Sequence, residues 1–116
     1  MRRNVITYSL FAGKRNNDNC IEQEFSKILK AVDEYSENGY LKRLYPEMKL
    51  IFSAFYADYQ DERKIDFNNL LQTINNGGCH VVLVLGSIDS FSISELFRLE
   101  EICTVQNCEL VFESDN

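Results

Sequence analysis

The stretch that decides the fold is CHVVLVLGSIDS, residues 79–90. Its five central residues, Val81 to Leu85, are all apolar, and a glycine and polar residues follow at once. A short apolar run bounded by turn residues is typical of a strand that is buried on both faces. Such strands occupy the middle of parallel sheets, and in open α/β folds the loops after them carry the chemistry. The stretch therefore predicts a central parallel strand and places the candidate site in residues 86–94.

The rest of the chain predicts an alternation of strands and helices around this centre. Three further strands are predicted at residues 5–11, 49–56 and 108–112, and helical spacing of apolar residues predicts helices over residues 21–35, 67–74 and 93–103. Asp66 is the predicted N-cap of the second helix, and Ser92 with Glu95 forms a capping-box sequence before the third. The order β-α-β-α-β-α-β predicts one α/β domain over residues 1–116, with three layers and a central, mostly parallel, four-stranded sheet.

Length, charge and hydropathy exclude several classes of protein. A chain of 116 residues, 45% of them hydrophobic, can bury one core. The net charge of −6 argues against DNA binding by the chain alone, because that binding depends on phosphate neutralisation by Lys and Arg. The longest apolar run is far shorter than the roughly 20 residues of a membrane span. The N-terminus does not resemble a signal peptide, so we expect a cytoplasmic protein with no membrane association.

The cysteines give no metal or redox motif. Cys20, Cys79, Cys103 and Cys108 form no C-x-x-C pair, and His80 is the only histidine. Because Cys79 and His80 are neighbours in an extended segment, their side chains should point in opposite directions and cannot form a dyad. We therefore predict reduced, mostly buried thiols, no metal site and no cofactor.

The loops after the predicted strands offer little catalytic chemistry. Asp58 and Asp89 each follow a predicted strand, and Ser87 lies beside Asp89. These three residues could bind a cation or a phosphate, which would make the chain a small ligand-binding protein or a weak enzyme. Loop aspartates also serve as turn formers and helix caps. The serines of this loop have no predicted histidine or lysine base beside them.

The first strand and its end carry a resemblance to a known family. The residues Tyr8-Ser9-Leu10-Phe11-Ala12 are similar to the motif Tyr-x-Arg-Val-Ser of the serine recombinases, the resolvases, invertases and large serine integrases. In that family the serine attacks a DNA phosphodiester. Tyr8 matches the motif, whereas Leu10 stands at the position of the arginine and Ala12 at that of the nucleophile.

Further matches extend the resemblance to the family's N-terminal catalytic domain over nearly the whole chain. Gln23 fits a glutamine of the first helix, Asp58 ends a Tyr-Ala-Asp sequence, and Lys64 lies in a turn that contains arginine in the family. The family's segment Leu-Asp-Arg-Leu-Gly-Arg-Asp aligns with residues 88–94. Asp89 matches in this segment. The two arginines are replaced by Ser90 and Ile93.

The resemblance implies a catalytically inactive, resolvase-like domain. Transesterification needs a nucleophile and cations that stabilise the transition state, and the matching positions Leu10, Ala12, Ser90 and Ile93 supply neither. The rim of the former site would comprise Tyr8, Gln23, Asp58, Lys64, Ser87 and Asp89. The implied function is a protein-interaction or regulatory module related to the recombination of mobile elements, with an active recombinase as a candidate partner.

Two points stay open at the level of the sequence. The chain could also be a recombinase remnant without a selected function, and its oligomeric state has no sequence signal. If the chain binds a protein, exposed aromatic residues are candidate contacts, and the sequence offers Tyr40, Tyr45, Phe55, Tyr59 and Phe91.

Overall fold

The computed structural model describes residues 2–11, 30, 49–85 and 88–113. Its elements are β1 (Arg2–Phe11), β2 (Lys49–Tyr59), α1 (Ile65–Asn75), β3 (Val81–Leu85), a 3₁₀ turn (Ile88–Ser90), α2 (Ile93–Val105) and β4 (Glu109–Glu113). The helix predicted over residues 21–35 lies outside the described residues except for Lys30, which is helical.

The four strands form one sheet in the order β2-β1-β3-β4, and every pairing is parallel. The predicted α/β fold with a central parallel sheet is therefore confirmed. Tyr8 of β1 lies between Tyr56 of β2 and Val84 of β3 in the register. Because all strands are parallel, their carboxyl ends meet at one edge, where Leu10 pairs with Asp58.

The side chains of the central strands are buried on both faces of the sheet. On one face, Ile6, Tyr8, Val82 and Val84 pack with the apolar residues of both α1 and α2. On the opposite face, Val5, Val81, Leu83 and Val111 form a second buried cluster. The side chains of residues 81–84 have no exposed surface, which confirms that β3 is buried on both faces.

Both described helices begin with defined hydrogen bonds, but only one begins as predicted. Ser92 is the N-cap of α2, and its capping box with Glu95 is complete, as predicted. The prediction that Asp66 caps α1 is wrong. Lys64 occupies the N-cap position without a side-chain cap bond, and Asp66 lies inside the first turn, because a carboxylate from β2 satisfies the first amides of the helix instead.

The second strand is longer than predicted. Residues 57–59, predicted to lie in the loop after a strand that ends at residue 56, continue β2 because they pair with residues 9–11 of β1. Ladder hydrogen bonds to a neighbouring strand thus extend the element beyond its apolar pattern. As a result, Asp58 lies within the strand and not after it.

Two of the predicted contact aromatics belong to the core. Tyr59 is 1% exposed and Phe91 is 7% exposed, so the expectation that they are exposed contact residues is wrong. Phe91 packs against Tyr8 and Phe67 at centroid distances of 6.0 and 6.2 Å. Phe55 is half-buried, and Tyr40 and Tyr45 lie outside the described residues.

Candidate functional site at the carboxyl edge of the sheet

Asp58 connects three elements at the carboxyl edge. Its Oδ2 accepts hydrogen bonds from Tyr8 Oη at 2.8 Å and from the backbone amide of Phe67 at 2.8 Å. Its Oδ1 accepts from the amide of Asp66 at 3.1 Å. In return, Asp66 Oδ2 accepts from the amide of Ala57 at 3.1 Å. Asp58 therefore caps α1 from the neighbouring strand and holds β1, β2 and α1 together.

Burial shifts the pKa values of both Asp58 and Tyr8. Asp58 is only 6% exposed, and this burial raises the pKa of its carboxyl, while the hydrogen bonds from Tyr8, Asp66 and Phe67 act in the opposite direction. Burial and the bond to Asp58 raise the pKa of Tyr8 far above its ordinary value of 10.0. Tyr8 therefore stays protonated and donates to Asp58.

Lys64 pairs with an acidic partner inside the protein. Its Nζ lies 2.9 and 3.0 Å from the two carboxylate oxygens of Glu95 and 5.8 Å from the centroid of the Phe91 ring. Burial acts to raise the pKa of Glu95, but the backbone amide of Ser92 and the ammonium of Lys64 outweigh it, and the pKa is lowered. The positive charge of Lys64 is thus compensated by Glu95, a partner that sequence reasoning missed.

The positions that the sequence resemblance aligns with recombinase catalytic residues have different surroundings in the structure. Leu10 is half-buried and packs against the core cluster. Ser90 is half-buried at the end of the 3₁₀ turn, and Asp89 before it is exposed. Ile93, the first residue of α2, is 74% exposed. Three predicted site residues lie outside the described residues: Ala12, Gln23 and Ser87.

Two buried hydroxyl groups on β1 were missed by sequence reasoning. Thr7 and Ser9 are 0% and 2% exposed, and within the described part of the chain neither Oγ atom has a hydrogen-bond partner. Both lie on the face of the sheet that carries Val5. The available signal was the alternation of Thr7 and Ser9 along a predicted strand.

The described thiols and carboxylates are not arranged as a metal site. Within the ranges that the structure describes, no group of three or more His, Cys, Asp or Glu side chains could hold an ion. Cys79 and Cys103 are buried free thiols, and burial raises the pKa of each to about 12. His80 is exposed while Cys79 is buried, as expected for neighbours pointing in opposite directions. Cys20 lies outside the described residues.

The arrangement at this edge therefore performs a structural task. Tyr8, Asp58 and Asp66 bond to one another or to backbone amides, and Lys64 bonds to Glu95. Both oxygens of Asp58 already accept hydrogen bonds from the protein.

No family model, curated protein or solved structure matches the chain. Among the described residues, no helix is long and apolar enough to cross a membrane.

Proposed function

We propose that the chain is a catalytically inactive, resolvase-like domain that acts by binding another protein. In this proposal the domain acts in the cytoplasm, and its partner is an active serine recombinase that recombines mobile elements. The domain would modulate that partner and would neither cleave nor join DNA.

One observation carries the proposal: the carboxyl edge holds apolar residues and internally paired charges where phosphodiester chemistry would require cations. Leu10 packs against the core at the position of an arginine, and Ile93 is apolar at the position of another. The ammonium of Lys64 is bound to Glu95. An electrostatically stabilised transition state needs positive groups that face the reacting phosphate, and none of these three residues supplies one.

The first experiment tests for recombinase chemistry. Purified protein is incubated with supercoiled plasmid and with nicked duplex substrates, beside an active serine recombinase under the same conditions. We expect no covalent protein–DNA adduct in denaturing gels and no gel shift at physiological salt, because a chain of net charge −6 gains little from phosphate contacts. A covalent adduct would contradict the proposal.

The second experiment tests for the partner. The tagged protein is used as bait in extracts of the native host, beside an unrelated acidic protein of similar size. Recovery of a full-length serine recombinase with the tagged chain alone would support the proposal. Recovery of the same proteins with both baits would count against it and favour a remnant.

The ligand-binding alternative is weakened by the burial of Asp58 and by the hydrogen bonds that both its oxygens accept, and it has its own test. A cation or phosphate at Asp58, Ser87 and Asp89 would stabilise the folded chain by about 2.7 kcal/mol at 100 times its dissociation constant. A thermal-shift screen with Mg²⁺, Mn²⁺ and nucleotides measures this, with Asp89→Asn as the matched variant. A melting temperature that does not respond to any of them would remove the alternative.

A further inference from the structure

Helix α2 presents apolar side chains on two opposite sides. On its inner side, Leu99 and Cys103 are buried in the core cluster. On its outer side, Ile93, Phe97 and Val105 are 74%, 67% and 73% exposed. An amphipathic helix at the surface of a domain normally keeps one face polar. The outer apolar side chains are therefore unexplained by the packing of the described residues.

The outer side of α2 is an open, shallow surface with a mixed lining, formed by this one helix. Phe97, Glu100, Glu101, Thr104 and Val105 line it, and we call it the α2 outer groove. Ile93 extends it by one turn, because residues four apart lie on the same side of a helix. Two carboxylates thus stand beside exposed apolar surface, a combination that favours partners with both apolar and cationic groups.

We propose that the α2 outer groove binds a cationic amphipathic segment of a partner protein. The apolar side chains of that segment would cover Phe97, Ile93 and Val105, and its lysines or arginines would pair with Glu100 and Glu101. The inference rests on the proposed function only in taking the partner to be a protein. It adds the location of the contact and the chemistry of the segment.

Charge complementarity favours a cationic segment over a second copy of the chain, a nucleic acid or an anionic membrane. The groove carries Glu100 and Glu101, and the whole chain has a net charge of −6. A second copy would bring up another acidic chain with the same net charge of −6, and like charges facing one another across an interface are unfavourable. Nucleic acids and anionic membranes meet the same repulsion. A cationic segment gains attraction in the encounter and in the complex.

The small area of the α2 outer groove indicates a weak, transient complex. Three apolar side chains and two carboxylates cannot bury the roughly 1,200–2,000 Å² of a stable interface. The groove therefore fits a short segment bound transiently. A bound helix would place apolar anchors along the face that contacts α2.

The test uses a synthetic helical peptide with leucines along one face and lysines on the others, labelled with a fluorophore. Its binding to the full chain is followed by fluorescence anisotropy at physiological ionic strength. Two control peptides are used, one with glutamate in place of lysine and one with the same residues in scrambled order. We expect the cationic amphipathic peptide to bind more tightly than either control, and its affinity to fall as salt is added.

Matched variants locate the contact. Phe97→Ala should weaken binding about tenfold, as expected when an aromatic anchor is truncated, and Glu101→Lys should weaken it several-fold. Ile65→Ala removes another exposed apolar side chain, 61% exposed and outside the groove. Asp61→Lys makes the same change in net charge at an exposed turn. Both control variants should bind like the unaltered chain, and thermal melting checks that all four fold.

Several results would overturn the inference. These are equal binding of the acidic or scrambled peptide, an equal loss of affinity in Asp61→Lys, or no binding of the cationic peptide. Dimers of the chain in sedimentation that Phe97→Ala dissociates would assign the groove to a second copy. None of these results bears on the DNA-adduct experiment, so failure of the inference is distinguishable from failure of the proposed function.

Discussion

At the scale of single residues, the carboxylate of Asp58 joins three elements at the carboxyl edge. It accepts one hydroxyl and two amide hydrogen bonds, from β1 and from the first turn of α1. Hydrogen bonds to an ionised group are stronger than those between neutral groups, and a buried acceptor that loses its donor bears the full cost of desolvation. The stability of the fold should therefore respond to each of these donors.

The phenol of Tyr8 tests this role most directly. Tyr8→Phe keeps the ring in contact with Phe67 and Phe91 and removes only the donor to Asp58. We expect a loss of about 1.5–3 kcal/mol in the free energy of unfolding, the range for a hydrogen bond to a charged group. Urea denaturation measures the loss.

The matched control is Tyr56→Phe, which removes a hydroxyl bonded to Thr73 Oγ1 at 2.6 Å, a neutral and partly buried pair. That substitution should cost about 0.5–1.5 kcal/mol. An equal or larger loss in the control would contradict the role given to Asp58.

The carboxylate of Glu95 predicts a dependence of stability on pH. Its pKa in the folded chain lies below the ordinary value of 4.5, so its contribution is present above that value and is lost as the pH falls through the folded-state pKa. Glu95→Gln keeps an acceptor for the Ser92 amide and loses the charge. We expect the unaltered chain to exceed the variant by up to about 1 kcal/mol at pH 7, and the difference to vanish in acid.

Urea denaturation from pH 7 to pH 3 checks this difference. A double-mutant cycle with Glu95→Gln, Lys64→Gln and the double variant separates the energy of the ion pair with Lys64 from that of the capping bond to Ser92. A difference that grows as the pH falls would show that the ionised form of Glu95 is not the stabilising one.

At the scale of elements, the two described helices begin in different ways, and this determines what the sequence could predict. Ser92 and Glu95 are three residues apart and form a local signal. The cap of α1 comes from Asp58, eight and nine residues before the amides that it binds. No local pattern indicates that arrangement, because it depends on how β2 and α1 are placed against each other.

The α2 cap gives a prediction with a matched control. Ser92→Ala removes the acceptor for the Glu95 amide, 3.1 Å away, and should cost about 1 kcal/mol in the free energy of unfolding. Ser94→Ala, in the exposed first turn of the same helix, should change it by less than about 0.5 kcal/mol. Thermal or urea denaturation compares the two. Equal effects would mean that the cap does not stabilise the helix start.

For the strands too, features that depend on local sequence could be predicted, and features that depend on distant contacts could not. The apolar run of β3 and the parallel sheet were predictable, because burial on both faces leaves a continuous hydrophobic sequence. The extension of β2 to Tyr59 was not, since it depends on pairing with Phe11. The burial of Phe91 follows from its contacts with Tyr8 and Phe67, which lie far away in sequence. At the site, the lack of cations at Leu10, Ser90 and Ile93 was readable from residue types, whereas the pairing of Lys64 with Glu95 required the fold.

At the scale of the whole molecule, the sheet is a layer with a core on each side. Leu83 belongs to the second cluster and has no exposed surface. Leu83→Ala should therefore cost about 2–5 kcal/mol, the range for truncating a buried leucine. Ile65→Ala, at a position 61% exposed, should change stability by less than about 0.5 kcal/mol. Urea denaturation of both variants is the measurement, and a small loss at Leu83 would show that this face is not a packed core.

The strand order also has a consequence for how the chain is made. On the ribosome β1 is synthesised before the other described strands, yet it lies between β2 and β3. It cannot gain its second neighbour until Leu85 has emerged, more than seventy residues after Phe11. At about 5–20 residues per second, that interval lasts several seconds. During it, one hydrogen-bonding edge of β1 is unpaired, a state in which nascent chains are prone to associate and chaperones bind.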